Sequence, residues 1–140
     1  MRRLIDGEHF RYRRFATGRP TRLEIQIDRA WRLAQDAPAT PLVEQMMRDF
    51  TRFCAQCMRM KFTGRGKGRI RWHLTGEPVA LASQEAFSIQ IGNKEVLISA
   101  GHERGLLHGT HCLERLMADR GAPWLKRGRI EPTPHFSPRI

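Results

Sequence analysis

Apolar positions recur at helical spacing in two stretches of the chain and alternate in several others. Within Glu103–Arg120, Leu106, Leu107, Thr110, Leu113, Leu116 and Met117 form one stripe, which predicts a helix over the whole span. Gly105 and Gly109 lie one turn apart and leave a nearly bare patch on that helix, suited to a close backbone approach. Each glycine weakens the helix by about 1 kcal/mol relative to alanine, so packing against a sheet is the expected compensation. Gly121 suits a C-cap and Pro123 blocks continuation, leaving an extended, proline-rich exit.

A second helix is predicted from Thr40-Pro41, an N-cap hydroxyl followed by proline at the first helical position, and is expected to span residues 41–60. Leu42, Val43, Met46, Met47, Phe50, Phe53, Cys54 and Cys57 share its broad apolar face. Glu44, Arg48, Asp49, Arg52, Gln56 and Arg59 lie opposite.

Alternation marks the strands. Phe87, Ile89 and Ile91, a Gly92-Asn93 turn, then Val96 and Ile98 predict a β-hairpin. Ile70, Trp72 and Leu74 predict another strand, and Leu23, Ile25 and Ile27 a half-buried one. Residues 28–39 and 77–83 read as connections. The expected fold is α+β, a mixed or antiparallel sheet of about four to six strands with both helices on one face.

Charge changes the picture more than composition does. At 140 residues one domain is the natural expectation, but 25 Lys+Arg against 14 Asp+Glu give a formal +11. Such an excess favours nucleic acid, anionic surfaces or acidic polymers as partners and is silent on fold. No apolar run approaches the roughly 20 residues of a membrane span, and no membrane partner is expected. The N-terminus lacks an apolar signal core, and three cysteines do not make a disulfide framework. A cytoplasmic location is the default expectation.

Residues 1–20 form a basic arm in which Arg2, Arg3, Arg11, Arg13, Arg14 and Arg19 are interleaved with Phe10, Tyr12 and Phe15. Cations neutralise phosphates and rings stack on bases, so the arm suits nucleic acid; it also reads as solvated charge with rings lying on the body. The run GRGKGR within residues 61–69 resembles a phosphate cradle but lacks the Lys-Ser/Thr pair and precedes a strand, which leaves a mobile basic turn. Cys54 and Cys57 fall inside a helix, where two packed thiols are the simpler reading; with His111 and Cys112 they would make a four-ligand zinc set. His102-Glu103 and His108 are six residues apart rather than four, about 120° off the face a zincin helix requires.

Taken in order, Glu85, Phe87, Ile89, Ile91, Val96, Ile98 and Ala100 lead into Arg104, Gly105, Leu106, Gly109, Leu113 and Leu116. Ile130, Pro132 or Pro134, Phe136 and Arg139 follow. This succession resembles the accessory domain that precedes the catalytic barrel in β-N-acetylhexosaminidases and α-glucuronidases, well over the last 70 or so residues and in outline before them. The resemblance implies residues 1–20 as an arm, 21–129 as a non-catalytic α+β domain, and 130–140 as an exit toward a barrel that this chain does not contain. It implies a parent glycoside hydrolase, no hydrolysis by these 140 residues alone, no metal or other cofactor, and a partner in that barrel, which would bring the carbohydrate. Glycoside hydrolysis takes two carboxylates across the scissile bond, and the family carries them on the barrel. Arg139 matches the arginine with which the hexosaminidase barrel opens, which implies contact with hydroxyls of the terminal sugar; SPRI departs from the usual aromatic-Arg-Gly at that point. The alternative is a small nucleic-acid-binding module. It would use residues 2–19, 61–69 and 126–129, with Trp124 stacking, and needs those stretches on one continuous face.

Overall fold

A computed structural model describes residues 18–76 and 84–131 of the chain. The elements run β1 (Glu24–Gln26), β2 (Arg32–Gln35), α1 (Pro41–Cys57), β3 (Arg69–Leu74), β4 (Phe87–Ile91), β5 (Glu95–Ala100), α2 (Glu103–Arg120), β6 (Trp124–Lys126) and β7 (Gly128–Ile130). Five strands form a sheet in the order β2-β3-β5-β4-β7, while β1 and β6 pair separately. β2, β3 and β5 are parallel; β4 runs antiparallel to both β5 and β7. The α+β expectation holds, with a mixed main sheet.

Register aligns the alternating apolar residues into rows. Leu33, Ile70, Val96 and Ile91 make one row across four strands; Trp72, Ile98, Ile89 and Ile130 make the next. Ile70, Trp72, Val96, Ile98 and Ile89 are fully buried. Both helices cover this face and meet at Trp72. From α1, the Phe50 ring stands edge-on to the Trp72 ring with centroids 5.3 Å apart. From α2, Thr110 Oγ1 accepts the Trp72 Nε1–H at 2.9 Å and donates to the Leu106 carbonyl at 2.7 Å, so the indole N–H and the threonine hydroxyl are both satisfied.

The bare patch on α2 does what its two glycines predict. A Cβ at Gly105 would sit 2.2 Å from the Ala86 carbonyl oxygen and 2.8 Å from Ala100 Cβ. One at Gly109 would sit 2.8 Å from Ile98 Cγ2. The α2 backbone therefore lies directly on the chain at Ala86, just before β4, and on side chains of β4 and β5. This helix spans the expected residues and Gly121 closes it as expected, at φ 75°. His102, not singled out as a cap, caps its start with a ring nitrogen that accepts from the Arg104 N–H. Thr40 caps α1 by accepting from the Val43 N–H, with Pro41 next.

Several expectations need correction. α1 ends at Cys57, not at residue 60: Arg59 turns left-handed at φ 56° and the Met60 N–H returns to the Cys54 carbonyl. Residues 28–39 contain β2, an edge strand with one large apolar residue and hence no visible alternation. The stretch after Gly121 holds β6 and β7, each three residues long and separated by Arg127, too short to show a period. Leu23 is 64% exposed, so only Ile25 and Ile27 of the first predicted strand enter the core. The loop of residues 61–69 is tied down: Thr63 N–H donates to the Arg29 carbonyl, Gly66 N–H to the Ala30 carbonyl, and Gly68 lies against the Trp31 ring.

Candidate functional site

The chain crosses one end of the main sheet repeatedly, and each crossing leaves cations there. β2, β3, β5 and β7 all start at this end, and β4 finishes at it. The Arg69 N–H donates to the Lys94 carbonyl, which sets Lys67 and the rest of the 61–69 loop beside the β4–β5 turn. On the other side of that turn, Arg127 donates from Nη1 to Asn93 Oδ1 at 3.4 Å and from Nη2 to the Arg22 carbonyl. Arg22, Arg29, Arg65, Lys67, Lys94 and Lys126 are exposed, as is Arg127, and none pairs with a carboxylate among the described residues.

The nearby carboxylates are already engaged. Asp28 Oδ1 accepts from the Ala30 N–H, and Glu95 Oε2 accepts from Arg69 Nε at 2.6 Å. Buried Glu24 takes two bonds from Arg120, at 2.7 and 3.1 Å, and one from the Thr21 N–H. The Arg120 guanidinium, followed by the Thr21 amide, holds the Glu24 carboxyl down at about 2. Arg120 also lies over the Trp124 ring, 4.9 Å from its centroid, so that indole face is covered.

Next to the basic end, between α1 and the free edge of β2, lies an open groove of about 900 Å³. Trp31, Leu33, Met47 and Phe62 supply its apolar lining; Arg32, Arg48, Arg52 and Lys61 supply its cations, and no carboxylate lines it. Two smaller clefts contain one carboxylate each, Glu95 in one and Glu44 in the other.

The other residues singled out from sequence fall as follows. Arg139, residues 1–17, the connection 77–83 and exit residues 132–140 lie outside the described residues. Cys54 and Cys57 are buried on the inner face of α1, in no disulfide, and burial pushes the Cys54 thiol far up. Cys112 is part-buried and His111 exposed, and among the described residues no three His, Cys, Asp or Glu side chains are grouped to hold a metal ion. His102 serves as a cap, while His108 Nε2 lies 3.6 Å from Glu85, which also binds Arg104 at 3.0 Å. Of the three basic stretches, 61–69 and 126–129 meet at one sheet end. Lys94, Arg22 and Arg29 belong to that end yet stood in none of the named stretches; a parallel β3–β5 pairing, read from Ile70-Trp72 and Val96-Ile98, is the signal that would have placed Lys94 there.

The fold has close counterparts among solved structures. The GH20 β-N-acetylhexosaminidase of Streptomyces coelicolor matches over 85% of this chain at 25% identity, with a TM-score of 0.53. The β-hexosaminidase of Streptomyces plicatus, in complex with its product GlcNAc, matches over 84% at 27% identity, with a TM-score of 0.56. This chain is similar to one part of a glycoside hydrolase. It spans only 25% of the length of either enzyme. The Flavobacterium johnsoniae chitobiase shares the fold at 14% identity and a TM-score of 0.61, over 80% of this chain and 19% of its own. No family model and no curated protein matches the sequence. Among the described residues no helix is long and apolar enough to cross a membrane.

Proposed function

We propose that the chain is the non-catalytic domain of a β-N-acetylhexosaminidase-like glycoside hydrolase, packed beside a catalytic barrel that it supports. The observation that carries this reading is the match of 85% and 84% of this chain to one quarter of two Streptomyces hexosaminidases at 25% and 27% identity. Arg139, just beyond the described residues, is assigned by resemblance to the rim of the sugar site once a barrel surrounds it.

Two measurements test the proposal. The reading frame after the Ile140 codon is expected to continue into alternating strands and helices carrying an Asp-Glu pair. A stop followed by unrelated sequence overturns the reading. The isolated chain is expected to release no chromophore from an aryl N-acetyl-β-glucosaminide, and turnover that survives repurification would show that the chain is itself catalytic.

A further inference from the structure

We propose that the basic end of the main sheet is a docking surface for an anionic polysaccharide, a polymer whose sugars carry carboxylate or sulfate groups; this rests on the glycoside hydrolase reading above. Seven exposed cations from five separate parts of the sequence converge there without a carboxylate partner among the described residues. Concentrated like charge repels itself, and the chain spends its local carboxylates elsewhere: Asp28 on a turn, Glu95 on Arg69, Glu24 on Arg120. Such a surface is complementary to an extended anion. Adjacent strands lie about 4.8 Å apart, so the span from β2 to β7 is about 19 Å, several times the reach of one anionic group. A single exposed ion pair contributes little, so useful affinity requires a polymer that meets many cations at once.

The chemistry of the surface favours a glycan over nucleic acid. Its cations sit on turns, loops and the three-residue strand β6, not along a helix able to enter a major groove. Neither tryptophan near it among the described residues is open for stacking on both faces: Trp31 is buried and Trp124 has one face under Arg120. On an enzyme that cuts glycans, this end would hold an acidic chain while a neighbouring barrel acts on one of its sugars.

The test is fluorescence titration of the intact 140-residue chain with a heparin oligosaccharide, neutral dextran and a DNA duplex of matched length. Two double variants with the same change in net charge are compared with it. Lys67→Glu/Lys94→Glu reverses charge on the surface; Arg104→Glu/Arg115→Glu does so on α2, Arg104 at the opposite end of the sheet and Arg115 part-way along the helix. Heparin binding is expected to weaken about tenfold in the first variant and less than about twofold in the second, and to fall steeply between about 50 and about 200 mM salt. Dextran is expected not to bind. Equal loss in both variants would reduce the effect to overall charge and overturn the surface, as would DNA binding as tight as heparin at the same salt. Failure of the intact chain to bind heparin also overturns it, while leaving the hydrolase reading to be decided by the reading frame and the sugar assay.

Discussion

Helix α1 presents Val43, Met46, Phe50 and Cys54 to the core, whereas α2 presents Gly105 and Gly109 along with Leu106, Thr110, Leu113 and Met117. The first reaches the sheet with long side chains and fills the space between; the second removes side chains and brings its backbone down onto β4 and β5. One interface should therefore fail when atoms are taken away and the other when they are added. Phe50→Ala is expected to cost the most, about 4 kcal/mol, because a fully buried ring with partners in Phe62 and Trp72 leaves a cavity. Urea unfolding reads this as a lower midpoint at unchanged slope.

Gly105→Ala tests the opposite rule. Alanine would improve the helix by about 1 kcal/mol in isolation. Here its Cβ meets a backbone carbonyl at 2.2 Å, which cannot swing aside, so a net loss of about 3 kcal/mol is expected. At Gly109 the nearest atom is the Ile98 Cγ2 methyl at 2.8 Å, a side-chain atom with more room to move, so the same change there should cost about half as much. A neutral or stabilising Gly105→Ala would mean that α2 does not sit on the sheet as described.

Thr110→Val sharpens the comparison where the two helices meet. The substitution keeps shape but strands the Trp72 Nε1–H in the core, at a cost of about 2 kcal/mol in the same unfolding measurement. Trp72→Phe made in the Thr110→Val background should then add little beyond its own packing effect, because the donor is gone; full additivity would contradict the bond.

The contrast between the helices was largely visible in sequence, since two glycines at i, i+4 on an apolar stripe say where a helix lies close. Helix ends were legible where a specific residue terminates them, as with Thr40, Pro41 and Gly121, and illegible at Arg59, a non-glycine in a left-handed conformation. Strands were legible when they were central and alternating. β2, β6 and β7 were not, because an edge strand buries one face weakly and three residues carry no period. The basic end lay further from view: its cations are local in no window of sequence, and only the parallel return of β5 beside β3 sets Lys94 next to the 61–69 loop.

The helix pair also shapes the dependence of stability on pH. Burial, aided by the Asp49 charge across from it on α1, pushes the Glu114 carboxyl on α2 up to about 7. Between the ordinary carboxylate value of 4.5 and about 7 the folded chain therefore keeps a proton that the unfolded chain has released, so stability falls as pH rises through that window. Glu24 acts with opposite sign: its carboxyl sits at about 2 against 4.5, so its contribution is complete above 4.5 and is lost as pH falls toward 2. Glu114→Gln should leave the acid limb untouched and remove the decline on the other side, raising stability by about 1 kcal/mol at neutral pH after allowance for solvent screening. Thermal unfolding of both proteins at about pH 3, 5 and 8 separates the two groups, since the variant should gain at pH 8 and match the parent at pH 3. A gain equal at all three values would place the cause in packing between the helices instead of in the charge that α2 turns toward Asp49.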